Sequence, residues 1–377
     1  MMFVLMRVPL LDLRRQNLPM EAELLDAFRR VLTSGQFILG PEVEQFESAA
    51  AAVAGARFGI GMSSGTDAIL VALMALGIGP GDEVICPSFT FFATAGCIVR
   101  VGARPVFADS CPECFNLDPG GIEPLITGRT KAIIPVHLFG QAADMDPVLE
   151  IARRRGMAVI EDAAQAFGAA YRGRPVGSLG DFGTISFFPT KNLGALGDAG
   201  LLVTNDEALA EKARLLRNHG ASRRYFHSLV GGNFRLDALQ AALLRVKLPR
   251  LAEYTALRQR HFAEYNRALG GREGVIVVPA THPDRTHIAN QYTLRVRRGR
   301  RDALRRFLEE RGIASEIYYP VPLHAQECFR AFGPHPALPV AEALADEVVS
   351  LPVFPEMTPE ERCAVLAAIT DFLESPA

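Results

Sequence analysis

From about residue 55 to residue 205 the chain alternates short apolar runs with helix-like stretches. Glu83-Val84-Ile85-Cys86, Arg104-Pro105-Val106-Phe107, Lys131-Ala132-Ile133-Ile134 and Met157-Ala158-Val159-Ile160 read as buried strands. Segments such as Met145 to Arg155 read as the helices between them. Short apolar strands separated by helices need both faces of their sheet covered. The pattern predicts an α/β chain with a mostly parallel sheet between helices.

After Asn205 the character changes. Residues 206–218 and 236–268 read as helices, Gln291 to Val296 as a strand, Asp302 to Arg311 as a helix, and Pro359 to Leu373 as a closing helix. This predicts a large domain over residues 1–245, including an N-terminal arm, and a smaller α+β domain over 246–377. Pro320, Pro322, Pro334, Pro336 and Pro339 mark a long irregular connection in the second part. Arg295, Arg297, Arg298, Arg300 and Arg301 fall at the strand-to-helix turn and read as a solvated turn.

Composition removes several classes of function. Lys and Arg number 40 against 42 Asp and Glu, a net charge of −2, so there is no basic excess for nucleic acid or a membrane surface. With 49% hydrophobic residues the chain can bury a large core. The uncharged stretch Val84 to Val99 is interrupted by Pro87, Ser88, Thr90 and Thr94 and falls short of the roughly 20 residues a spanning helix needs. The first residues lack an apolar run long enough for a signal peptide, so a cytoplasmic location is expected. The six cysteines do not form a disulfide framework. Cys111 and Cys114 have metal or redox spacing, but no second pair or matching histidines follow, and they sit in a Pro- and Asp-rich loop. They read as ordinary loop cysteines, and no metal is expected.

Three stretches carry candidate chemistry. Ser63-Ser64-Gly65-Thr66-Asp67 follows an apolar run and opens a helix from Ala68 to Leu76. Its backbone N–H groups suit a phosphate; plain helix capping by Ser64 or Thr66 is the alternative. Neither a dinucleotide G-x-G-x-x-G fingerprint nor a G-K-[ST] loop is present. Glu161-Asp162-Ala163-Ala164-Gln165 ends a strand with two carboxylates, where open parallel sheets bind ligands; solvated strand-end charge is the alternative. Lys191 follows a strand read over Thr184 to Phe187, in a neighbourhood containing Gly194, Gly197 and Gly200. A lysine among apolar residues can lose its proton and form an imine; a surface lysine is the alternative.

Together these residues answer one requirement. Pyridoxal 5'-phosphate needs a lysine for its Schiff base, an acid for its ring nitrogen and a helix start for its phosphate. An aromatic ring for its face is available in Phe89-Thr90-Phe91-Phe92.

At this level of detail the sequence resembles the DegT family of nucleotide-sugar aminotransferases, within the aspartate aminotransferase superfamily (fold type I). The resemblance spans nearly the whole chain, from Gly35-Gln36-Phe37-Ile38-Leu39-Gly40-Pro41 through Gly81-Asp82-Glu83, Thr130 to His137, Glu161 to Gln165, Lys191-Asn192-Leu193-Gly194 and Asn233-Phe234-Arg235-Leu236-Asp237 to Ser350-Leu351-Pro352. It implies the α/β aminotransferase fold and a set of site residues. Lys191 would carry the cofactor covalently, and Asp162 would face its ring nitrogen. Gln165 would contact the ring hydroxyl and Phe91 would pack on the ring face. Gly65, Thr66 and Ser186 would hold the phosphate. Asn233 would reach the phosphate in a neighbouring subunit, which implies a homodimer with shared active sites. Phe188, Arg235, Tyr318, Tyr319 and His324 would contact substrate.

Some positions depart from the family's commonest pattern: Ala199 for glycine, Phe234 for serine, Phe188 for tyrosine or histidine, and Tyr318-Tyr319-Pro320 for His-Tyr-Pro. None removes a cofactor contact. The resemblance implies transfer of an amino group from L-glutamate to a keto-sugar nucleotide, with a 3-keto sugar favoured by Phe188-Pro189 and Gly194 to Asp198, and a 4-keto sugar as the alternative. The product would serve amino-sugar biosynthesis, for lipopolysaccharide or an antibiotic sugar. A sugar dehydratase on the same scaffold would have histidine in place of Lys191. A non-catalytic sensor that binds cofactor or sugar is the rival from another class.

Overall fold

The computed structural model describes residues 7–272 and 274–375. Seven strands form one sheet: Phe58–Met62 (β1), Glu83–Pro87 (β2), Arg104–Ala108 (β3), Thr130–Ile133 (β4), Ala158–Asp162 (β5), Phe182–Ser186 (β6) and Gly200–Thr204 (β7). Their spatial order is β1-β7-β6-β5-β4-β2-β3. All neighbours are parallel except β7, which runs antiparallel to β1 and β6. The mixed sheet fits the mostly parallel one expected.

The strand period of two explains why these runs are apolar throughout. Val84, Cys86 and Leu202 point into a core with Ile69, Leu73, Ile98 and Leu216, from the helices Gly65–Ala75, Ala93–Arg100 and Glu207–Arg217. Ile85, Val159, Ile185 and Leu201 point the other way. They meet Val31, Phe46, Val148 and Leu244, from Glu21–Ser34, Pro41–Val53, Met145–Arg155 and Ala238–Lys247.

A third buried cluster gathers Phe262, Tyr265, Leu294, Val296, Leu308, Val349, Leu351 and Ile369 around an antiparallel sheet of Ile276–Val277 (β8), Tyr292–Val296 (β9) and Val348–Leu351 (β10). Val8 is buried in this cluster and bridges Ile313.

Two expectations change. The helix read over 236–268 is two helices, Ala238–Lys247 and Leu251–Leu269, because Pro249 cannot continue the hydrogen-bond ladder and a 3₁₀ turn intervenes. The arginine cluster is not a uniformly solvated turn. Arg297 and Arg298 are exposed, but Arg295 is buried against Glu347 at 2.8 Å and the carbonyl of Pro112, while Arg301 donates to the Ala345 carbonyl.

Candidate active site

The carboxyl ends of β5 and β6 open into a cavity of about 570 Å³. Asp162 is the last residue of β5 and lies on the cavity wall with Lys191. Its Oδ2 accepts the Thr94 hydroxyl at 2.8 Å and its Oδ1 the Ala164 N–H at 3.2 Å. Burial pushes the Asp162 carboxyl up, and Thr94, Ala164, Lys191 and His137 act against that shift. Burial pulls the Lys191 amine down to about 8, while the Asp162 charge opposes the change. A cation and an anion thus share an enclosed space in which neither is fully solvated.

The neighbouring carboxylate does something else. One residue earlier on the strand, Glu161 points to the opposite face. It accepts N–H groups from Gly177, Leu179 and Gly180 at 2.9, 2.7 and 2.8 Å. His137 Nδ1 accepts the Ala143 N–H, so its Nε2 carries the proton and donates to Glu161 at 3.0 Å. Glu161 is a buried tie among loops; of the two carboxylates seen in sequence, Asp162 alone faces the cavity.

Lys191 sits in the loop after β6, its N–H donating to the Phe188 carbonyl at 2.9 Å. Lys247 Nζ donates to Gly194 O at 2.5 Å and Asn192 Nδ2 to Ile288 O at 3.0 Å, which pins the loop from beneath. Burial also pulls Lys247 down to about 8, but it lies outside the cavity lining.

At the other end, the helix expected from Ala68 already begins at Gly65, capped by Ser64, whose Oγ accepts the Asp67 N–H at 3.0 Å. The capping alternative therefore holds for Ser64, and it coexists with an anion site. The first amides of the helix, Gly65 and Thr66, have no intrahelical acceptor. Ser186 stands across from them, so close that a Cβ on Gly65 would lie 2.8 Å from the Ser186 Cβ. A Cβ on Gly200 would lie 2.3 Å from the Ser64 carbonyl carbon. Glycine at both positions keeps this cradle open. An amine, a carboxylate and a glycine-bounded helix start around one cavity fit pyridoxal 5'-phosphate.

Of the other candidates, Phe91, Gln165, Phe188, Tyr318 and Tyr319 also line the cavity. Gln165 Oε1 accepts the Phe139 N–H at 2.6 Å and its Nε2 donates to the Tyr319 hydroxyl at 3.1 Å. Burial pushes the Tyr319 phenol up, so it stays protonated.

Three candidates fall outside. His324 is not on the wall: its Nδ1 lies 2.6 Å from Ser88 Oγ and its Nε2 3.3 Å from Glu342. Asn233 is exposed beside Asn218, and Arg235 donates to Asn218 Oδ1 at 2.7 Å; neither lines the cavity. Sequence reasoning missed Thr94 and Gln291, and used Asp198 only as part of a motif bearing on the sugar. Asp198 and Gln291 line the cavity, and Thr94 supports Asp162. Thr94 lies in the very stretch weighed as a membrane span, where its hydroxyl counted only as an interruption.

Residues 19–370 match the DegT/DnrJ/EryC1/StrS aminotransferase family. The chain is 50% identical to a "Pleiotropic regulatory protein" of Geobacillus stearothermophilus, covering 97% of this chain and 99% of that one. It is 46% identical to a UDP-N-acetyl-3-dehydro-alpha-D-glucosamine 3-aminotransferase of Acidithiobacillus ferrooxidans, covering 96% of each. The crystal structure of DesV from S. venezuelae, in complex with a ketimine intermediate, superposes with a TM-score of 0.95 at 43% identity, over 98% of this chain and 100% of that one. The chain belongs to the DegT/DnrJ/EryC1/StrS aminotransferase family and is a pyridoxal phosphate-dependent sugar aminotransferase.

Proposed function

We propose that the chain transfers the amino group of L-glutamate to C3 of a 3-keto nucleotide sugar. The observation that carries the transfer is the placement of Lys191, Asp162 and the Gly65–Thr66 helix start around one cavity. When bound, the cofactor supplies an aldehyde for amine exchange and a ring that takes up the electron pair released at the substrate carbon. Asp162 holds a negative charge toward the ring nitrogen. Lys191 Nζ, set free by the incoming amine, moves the proton at the substrate carbon; an amine with its pKa near 8 both gives and takes protons near neutrality. Phe91 and Phe188 line the cavity with their rings half-exposed, as apolar surface for a bound ring. The choice of C3 draws on the 3-aminotransferase named above. A panel of 3-keto and 4-keto nucleotide sugars with L-glutamate, followed by location of the new amino group, tests it; amination at C4 alone overturns it. In the same assay, no 2-oxoglutarate from any acceptor would favour the regulatory role in the Geobacillus stearothermophilus protein's name.

The working unit in this reading is a homodimer with shared sites. The helix Glu21–Ser34 buries Leu24, Ala27 and Val31 yet exposes a second apolar stripe, Leu25, Phe28 and Leu32, followed by exposed Phe37 and Ile38. A second copy would cover it. Each copy's Asn233 and Arg235 would then complete its neighbour's cavity. Among the described residues lining the cavity Lys191 is the only Lys or Arg, so the carboxylates of glutamate and the phosphates of a nucleotide need cations from elsewhere.

A further inference from the structure

We propose that Thr94 is a positioning residue for amino transfer: its hydroxyl, 2.8 Å from Asp162 Oδ2, keeps the proton between Asp162 and the cofactor's ring nitrogen on the nitrogen. The inference rests on the reading of Asp162 as the partner of that nitrogen.

The hydrogen bond is built into the fold. Thr94 is the second residue of the helix Ala93–Arg100 and is fully buried; Asp162 is 5% exposed. One turn on, Cys97 Sγ donates to the Thr66 carbonyl at 3.2 Å, and burial pushes that thiol up to about 12, so it remains a donor. The same helix face therefore touches both ends of the cavity, and Cys97 fixes the rotation that aims Thr94 at Asp162. The positive end of the helix dipole also lies at this carboxylate.

A hydroxyl has one proton, and here it is directed at Oδ2. The Ala164 N–H occupies Oδ1. Lys191 and His137 are the ionisable groups acting favourably on Asp162. A buried carboxylate that loses its hydroxyl donor becomes a stronger base. One proton then has two possible homes. With Thr94 it stays on the ring nitrogen; without it, the proton moves to Asp162, and the ring becomes neutral and draws electrons less. No other reactant is involved.

The test uses holoenzyme reconstituted with pyridoxal phosphate labelled with ¹⁵N in the ring. Thr94→Val keeps the shape and removes the donor, Thr94→Ser keeps the donor, and Thr94→Cys weakens it. The nitrogen signal is expected at the protonated position in wild type and Thr94→Ser, displaced toward neutral in Thr94→Val, and between these in Thr94→Cys. The kcat of Thr94→Val is expected to fall at least about tenfold, the size of a lost hydrogen bond to a charged group, with the KM for glutamate nearly unchanged. Asp162→Asn is the control. If it leaves the nitrogen signal at the protonated position, the reading of Asp162 fails. If it moves the signal while Thr94→Val does not, the role of Thr94 is overturned. Should Thr94→Val fail to load cofactor, a Thr94→Cys signal identical to wild type overturns it equally. A lowered melting temperature of the apoprotein with the signal unmoved would leave Thr94 a packing residue only.

Discussion

The wall carrying Lys191 and Asp162 and the loop carrying Asn233 and Arg235 come from the same set of sequence motifs, but the fold treats them differently. The first pair lies in one enclosed cavity, with Asp162 at the end of a central strand and Lys191 on a loop pinned by Lys247 and Asn192. In the second pair Asn233 is exposed beside Asn218 and Arg235 is half-buried, bridging Met62; neither lines that cavity. A strand end in the middle of a sheet is fixed by its neighbours on both sides, so its side chain can serve only its own site. The segment of Asn233 and Arg235 is anchored too, through bridges to Asn218 and Met62, but it leaves the Asn233 side chain exposed, where it can serve a site on another copy. On the proposed reading the difference separates chemistry from completion: one chain carries the groups that move protons, and a second chain supplies what holds the substrate's charge.

The largest expected effect tests the first half. Lys191→Ala removes the amine that forms the covalent link and moves the proton, and transfer should fall by at least about 10²–10⁴-fold. Borohydride reduction of wild-type holoenzyme followed by peptide mapping should find the pyridoxyl group on Lys191. Finding it on Lys247, the other lysine whose amine burial pulls down to about 8, would break the assignment.

Asp162→Asn comes next. The covalent link should survive and the rate fall strongly, since the ring nitrogen loses its negative partner. A rate within about threefold of wild type, worth about 0.7 kcal/mol, would contradict the role. Glu161 sharpens the comparison one residue away: its four hydrogen-bond donors make it a folding residue, so Glu161→Gln should lower the melting temperature before it changes the chemistry of any protein that remains folded.

These two carboxylates also show how much was legible in the sequence. The alternation of apolar runs gave the covered sheet, because burying both faces leaves little choice of residue. Asp162, Lys191 and the Gly65–Thr66 helix start were readable because each is a residue type that the cofactor chemistry demands at the end of a strand or the start of a helix. Which of Glu161 and Asp162 faced the cavity followed from strand phase only once the resemblance chose between them. Thr94 and Gln291 were not readable: a threonine or glutamine in a buried run has no signature until the fold brings it to a carboxylate or a cavity. His324, read from the resemblance as a substrate contact, has its ring nitrogens beside Ser88 and Glu342, a pairing the sequence does not signal.

A smaller effect probes the enclosure itself. Burial holds the Lys191 amine near 8, below the ordinary 10.5. The neutral form, which attacks an aldehyde, is the form present above the pKa. Covalent capture of pyridoxal phosphate by apoprotein should therefore rise about tenfold per pH unit up to pH 8 and level off above it. A rate still climbing between pH 9 and 10 would mean that Lys191 is solvated as an ordinary lysine.

The smallest expected signal tests the second half of the comparison. Lys191→Ala and an Asn233 variant that binds too little cofactor to work are each inactive alone. In a mixed dimer with shared sites, one site combines the altered Lys191 with the partner's altered Asn233, and the other combines an intact Lys191 with an intact Asn233. That dimer should be half-active, because both lesions fall in the same site. If Asn233 served its own subunit, one site would lack the lysine and the other the asparagine, and no mixed dimer would work. Activity that appears on subunit exchange supports a site shared across the apolar stripe of Leu25, Phe28 and Leu32. Exchange demonstrated by mass with no activity would return Asn233 to its own chain. Its exposure beside Asn218 would then have to be read as the resting position of a loop that folds inward, and the apolar stripe would need a different occupant.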